Sequence, residues 1–228
     1  MTVQRQSDAP AAPPLGSSWE DGGAENEEPA RETAELLVVL SGPSGVGKDT
    51  LIRTVKASGF DIHYVVTATT RPPRRGEVTG RDYYFVGDAE FDGMIARNEL
   101  LEYADVHGRR YGTPVSEVRN AFARGEDALL KIDVQGGLQV RRRIPQAVFV
   151  FLAPPSLEDL LLRLNRRHTE SVEELEHRTR DAHFEMAQRD AYDYVIVNHE
   201  DHVDQAAEQL KCIITAEKLR IHRQPIEL

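Results

Sequence analysis

Residues 36–50, LLVVLSGPSGVGKDT, restrict this chain's fold more than any other stretch. LLVVL is an uninterrupted apolar run of strand length, the kind buried on both faces of a parallel sheet. A glycine-rich turn follows at once. KDTLIRTVKASG then reads as a helix with Leu51, Ile52 and Val55 inward and Gly59 as its stop. Strand, tight loop and helix in that order are what a phosphate-binding loop requires. GPSGVGK fits G-x-x-x-x-G-K through Gly42, Gly47 and Lys48. Pro43, Ser44, Gly45 and Val46 complete the turn. Its glycines let successive N–H groups face an anion. The helix N-terminus adds positive potential, and Lys48 can reach the outer phosphates.

The residue after Lys48 is Asp49, where a Ser or Thr hydroxyl normally meets Mg²⁺. A carboxylate is an acceptable oxygen ligand for that hard cation, directly or through water, so Asp49 is the expected metal residue. Thr50 belongs to the loop but lies about 100° further round the helix and is not expected to be the ligand.

Beyond the loop, strand signals at IHYVV (62–66), ALLKID (128–133), AVFVFL (147–152) and YVIVN (194–198) alternate with helical patterns. These are GGLQVRRRI (136–144), LEDLLLRLNRR (157–167), a long charged helix after HTES, and a last helix with Val203, Ala207, Leu210 and Ile214 on one face. Alternation of this kind implies a parallel sheet covered by helices on both sides. Residues 67–125 break the pattern. They hold the basic turn TTRPPRRGEVTGRD, an alternating aromatic strand YYFV (83–86), and helical stretches at 88–99 and 115–125, and are expected to form an inserted substrate-binding subdomain.

Composition bounds the rest. Residues 1–35 carry eight acidic and two basic side chains, which is −6 of the chain's −10. They are too polar to offset an ordering entropy of about 1–2 kcal/mol per residue and are expected to be a disordered acidic tail. They lack the apolar core of a secretory signal and the arginine richness of a mitochondrial presequence. No apolar run is long enough to span a membrane. An acidic chain does not advertise affinity for a nucleic acid polymer. Cys212 stands alone, which points to a reducing compartment and a half-buried helix thiol, and cytoplasmic is the simplest placement. The eight histidines form no zinc pattern. Arg141, Arg142 and Arg143 read as a solvated helix surface.

With GPSGVGK, TTRPPRRGEVTGRDYYFV, ELLEYADVHGRRYGTP, IDVQG, FLAPPS, RRHTES and YVIVN in this order, the chain resembles the guanylate kinase family from about residue 36 to its last helix. Asp49 and Lys131, the latter where an acidic residue is common, depart from the usual bacterial and yeast-like pattern and look like the plant organellar branch. The resemblance implies an α/β P-loop NTPase three-layer fold over 36–222, with a GMP-binding subdomain (67–125) and a helical lid (155–185). It implies Mg²⁺-dependent transfer of the ATP γ-phosphoryl group to GMP, by a monomer or homodimer.

It also implies residue roles. Arg71, Arg74, Tyr83 and Tyr111 would hold the GMP phosphate, with Glu77 in the same set. Glu102 and Thr113, with Thr67 and Asp133 nearby, would read guanine. Arg163, Arg167 and Arg178 would close over ATP, and Asn198 would meet adenine. A carboxylate accepts the paired N1 and N2 donors of guanine and faces a repelling lone pair on adenine. The competing reading of Glu102 is a surface charge ending a helix in NELLEYAD. Asp133 is expected to end a parallel strand, where α/β folds bind ligands. Lys131 could pair with Glu102 or Asp133. The rival functions are a ribose 1,5-bisphosphate phosphokinase and a non-catalytic guanylate-kinase-like interaction module.

Overall fold

The computed structural model describes residues 34–106, 108–165, 172–221 and 223–228. The acidic segment 1–33 lies outside them, as do Arg166 and Arg167.

The central sheet is five parallel strands: β1 (Leu37–Ser41), β2 (His63–Tyr64), β7 (Ala128–Lys131), β8 (Val148–Ala153) and β9 (Tyr194–Val197), in the order β2-β7-β1-β8-β9. Every residue of β1 is buried. Alternation along it feeds two cores. Val38 and Leu40 join Leu51 and Val55 of α1 (Lys48–Ala57) and Leu210 and Ile214 of α7 (Val203–Lys218). Leu37 and Val39 face the other way, onto Val115 and Val118 of α3 (Val115–Ala123) and Val140 of α4 (Val134–Arg143). Three layers result, with the apolar run in the middle, as an all-apolar parallel strand dictates. Asp127 ties the start of β1 to α7: Oδ1 accepts from the Leu36 N–H at 2.9 Å and Oδ2 lies 2.5 Å from Lys218 Nζ.

A second sheet has the order β4-β3-β6-β5, from β3 (Ala68–Thr69), β4 (Tyr84–Phe85), β5 (Leu100–Val106) and β6 (Arg109–Pro114). The short helix α2 (Asp88–Ala96) buries Phe91 beneath it. The remaining helices are α5 (Leu157–Asn165) and α6 (Val172–Ala187).

Several sequence expectations need correction. The helix expected over 88–99 ends at Ala96, and the competing reading of Glu102 as a helix-end charge fails, because LLEYAD is most of β5, paired antiparallel with β6. The aromatic strand is two residues long rather than four. β7 stops at Lys131, and Asp133 is the N-cap of α4, its Oδ1 accepting from the Gly136 N–H at 3.0 Å. The arginines on α4 do reach solvent, Arg142 and Arg143 being exposed and Arg141 half-buried, but two of them also bind across the fold. Arg141 donates to Ala191 O at 2.9 and 2.6 Å, pairs with Asp193 at 2.8 Å, and lies over the Phe149 ring. Arg143 donates to the carbonyls of Leu100 and Leu101 at 2.9 and 3.2 Å. Cys212 is exposed. Among the described residues no helix is long and apolar enough to cross a membrane.

Candidate active site

The loop after β1 closes around a lysine. Gly42, Gly45 and Gly47 all have φ in the left-handed half of the map, at 146, 80 and 104°. A Cβ on Gly42 would collide with the Leu152 carbonyl, so the glycine is a steric requirement there. Gly47 is the N-cap of α1 and offers no side chain, so the first N–H groups of the helix have no side-chain cap beside the loop. Lys48 Nζ lies inside, 2.5 Å from Gly42 O and 3.1 Å from Pro43 O. Burial lowers its pKa, against the pull of Glu185 and Asp133. Glu185 of α6 reaches the same loop, its Oε2 accepting from the Ser44 N–H at 3.1 Å. Nothing in its charged helix sets that glutamate apart from its acidic neighbours.

Asn198 and Arg163 brace the loop from behind. Asn198 Nδ2 donates to Val46 O at 2.7 Å, and Arg163 donates to Val46 O at 3.4 Å and to Asn198 O at 3.0 Å. Neither side chain lines the cavity in front of the loop.

That cavity, of about 270 Å³, is walled by the loop on one side and by Thr67, Tyr83, Glu102 and Tyr111 on the other. Glu102 is 3% exposed, and Thr113 Oγ1 donates to its Oε1 at 2.6 Å. Burial, with Asp133 adding and Thr113 opposing, pushes the carboxyl up to about 7.

A β-bulge puts Glu102 there. Leu100 pairs with Pro114 and Tyr103 with Gly112, so β5 holds one more residue than β6 across this interval. Leu100, Leu101 and Glu102 are consequently buried in succession, where a regular strand would alternate. Helix α4 pins the bulge: Gln139 exchanges hydrogen bonds with the backbone of Tyr103 at 3.3 and 2.7 Å, and Arg143 takes the carbonyls already described. Gly136 leaves room for the carboxylate, since a Cβ there would come within 3.0 Å of Glu102 Cδ. Gly136, Gln139 and Arg143 escaped sequence reasoning. Their only signal is shared spacing on one helix.

The predicted phosphate residues cluster. Arg71 lies 5.4 Å over the Tyr83 ring, and the Tyr83 and Tyr111 rings meet edge-on at 6.0 Å. Glu77 does not wall the cavity. It accepts twice from Arg71 at 2.9 Å and once from the Arg74 N–H at 2.7 Å, holding the arginine-bearing turn. Arg74 and Arg178 line a neighbouring cavity of about 590 Å³ with Asp133 and Glu185. Thr50 is exposed and accepts from Arg53 at 3.1 Å. Arg167 lies outside the described residues.

Asp49 is 81% exposed at the loop mouth, and Lys131 Nζ lies 2.5 Å from its Oδ1. Partial desolvation beside the loop would raise its carboxyl, but Lys131 and Lys48 outweigh it and hold the pKa below the usual carboxylate value. Lys131 therefore pairs with neither Glu102 nor Asp133. No cluster of three or more His, Cys, Asp or Glu that could cage a metal occurs among the described residues. The donors fit Mg²⁺ that arrives with a polyphosphate: Asp49 offers carboxylate oxygen beside the loop, and phosphate oxygens and water would complete the shell.

An anion-binding loop sharing a cavity with a buried carboxylate and two tyrosines, with Arg71 over one of those rings, is the arrangement of a P-loop phosphotransferase with a small acceptor. A guanylate kinase family model matches residues 34–217. The guanylate kinase of Desulfitobacterium hafniense is 46% identical over 190 residues, covering 83% of this chain and 94% of that protein. That of Bacillus subtilis is 47% identical over 189 residues, covering 82% and 92%. The crystal structure of guanylate kinase from Anaplasma phagocytophilum superposes with a TM-score of 0.67 at 34% identity, covering 85% of this chain and 91% of that one. The chain belongs to the guanylate kinase family, and so to the transferases that phosphorylate a nucleoside monophosphate.

Proposed function

We propose that the chain transfers the γ-phosphoryl group of ATP to GMP with Mg²⁺, and that its residues divide the work as follows. The loop 42–50, with Lys48 inside it, takes the ATP phosphates through inward N–H groups and one ammonium. Arg71, Arg74, Tyr83 and Tyr111 take the GMP phosphate, two guanidinium forks and two phenols suiting a dianion. Glu77 keeps Arg71 aimed, and Thr67 and Asp133 flank the base. Glu102 and Thr113 read guanine. Arg163 and Asn198 stiffen the loop from behind, Arg178 comes from the lid side, and Arg167, outside the described residues, keeps the role toward ATP that the family implies. Asp49 would hold the metal, which when bound screens the charge of the transferring group.

No general base is needed, because phosphoryl transfer depends on alignment and charge neutralisation. All these residues belong to one chain, so a monomer suffices, and a reducing, cytoplasmic setting fits the free thiol at Cys212.

The observation that carries this reading is the buried Glu102 carboxylate, fixed by Thr113, in the cavity that the phosphate loop walls. Ribose 1,5-bisphosphate has no base to satisfy that carboxylate, and an interaction module has no use for a lysine inside an intact loop. ADP release with Mg-ATP and GMP, AMP or ribose 1,5-bisphosphate tests all three functions. GMP should be the acceptor by a wide margin. Turnover of the bisphosphate, or of none, would contradict the assignment.

A further inference from the structure

Lys131 has no task among the roles proposed so far, yet it lines the cavity that the phosphate loop and the Tyr83 and Tyr111 wall enclose. It is the last residue of β7, beside Leu40 at the C-terminal end of the sheet, and its side chain is 30% exposed. Its Nζ has two partners from different parts of the fold. One is Asp49 Oδ1 at 2.5 Å, on the first turn after the phosphate loop. The other is the Tyr83 ring, 5.7 Å to its centroid. That ring also carries Arg71 on it and Tyr111 against it. Lys131 is thus a further member of the acceptor-phosphate cluster, tethered to the donor loop. It lines the same cavity as Lys48, Tyr83 and Tyr111.

An ammonium is a compact cation with three donors that can turn toward whichever acceptor is strongest. Two bound phosphates repel each other, and a cation fixed between the pockets offsets that repulsion where it is greatest. We propose that Lys131 is a catalytic residue of the phosphoryl transfer, donating hydrogen bonds to the acceptor phosphate of GMP, and that Asp49 is the positioning residue that holds it between the two sites. A GMP phosphate oxygen forms the new bond to the γ-phosphorus as the bond from that phosphorus to the bridging oxygen of the departing ADP breaks. Lys131 keeps all its protons throughout. The proposal rests on the guanylate kinase reading, and wild-type turnover of GMP is checked first so that the two can fail separately.

The alternative is that Lys131 only neutralises Asp49. Steady-state kinetics of Lys131→Met, Lys131→Arg, Asp49→Ser and the double variant Asp49→Ser/Lys131→Met separate the two, alongside calorimetric GMP binding without ATP and melting temperatures. Lys131→Met should lower kcat/KM for GMP roughly 30-fold, the loss of one charge-assisted hydrogen bond, with weaker calorimetric GMP binding and a folded protein. Lys131→Arg should recover much of that loss. Asp49→Ser alone should lose less than Lys131→Met, and the double variant should stay as impaired as Lys131→Met. If the double variant returns to the level of Asp49→Ser, or if Lys131→Met leaves GMP kinetics and binding unchanged, the proposal is overturned.

Discussion

Glu102 is the residue whose chemistry decides most. Its carboxyl, near 4.5 in an exposed glutamate, is pushed up to about 7 by burial. A raised acid pKa means the fold prefers the protonated form. Stability should therefore be greatest below about pH 4.5 as far as this group is concerned. It should fall as pH rises toward 7 by up to roughly 3 kcal/mol, and be level above that. On the proposed recognition guanine would reverse the preference, because its N1 and N2 donors need the ionised carboxylate. We expect the KM for GMP to fall as pH rises through 7 in the wild type. The phosphate of GMP titrates near 6 in any variant, so Glu102→Gln supplies the background. The wild-type slope must exceed that of the variant, and equal slopes would remove the carboxylate from recognition.

At the scale of elements, the bulge in β5 and the helix behind it do the aiming. Gly136→Ala should crowd the Glu102 carboxylate and raise the KM for GMP by about tenfold or more, while the KM for ATP stays close to wild type. Arg143→Ala frees the Leu100 and Leu101 carbonyls. It should weaken GMP binding by roughly tenfold, of the order of a lost charge-assisted hydrogen bond, and narrow the preference for GMP over AMP. A GMP titration of each variant, read by intrinsic fluorescence or calorimetry, checks both. These features also mark where the sequence stops being legible. The parallel strands and the loop could be read because an all-apolar run, three glycines and a lysine have few other uses. The bulge could not, because it breaks the alternation by which strands are recognised, and LLEYAD then resembled a helix end. The contacts of Arg141 and Arg143 could not be read because their acceptors are mostly main-chain carbonyls, which no sequence pattern marks. The partner of Lys131 is 82 residues away, at Asp49, and only the packed sheet brings them together.

At the scale of the whole molecule, the site depends on where the sheet is held. Asp127 fastens the first strand to the last helix, at the opposite end of β1 from the phosphate loop. Asp127→Ala leaves a buried N–H without its acceptor and Lys218 without its partner. It should destabilise the fold by about 2–3 kcal/mol in urea unfolding, with kcat near wild type at 25 °C. Loss of stability without loss of turnover would show that the strand's anchorage and its chemistry are separable. The two neighbouring cavities share Ser44, Gly45, Val106 and Asp133 in their walls, and closure of α6 over them would exclude water from the γ-phosphate.

The central claim is that a carboxylate buried opposite a phosphate loop selects guanine. The most direct measurement is kcat/KM for GMP and for AMP in the wild type and in Glu102→Gln. The wild type should favour GMP by a factor on the order of 10⁴, and the variant should lose most of that ratio, chiefly through GMP. An unchanged ratio in a folded Glu102→Gln protein would contradict the account.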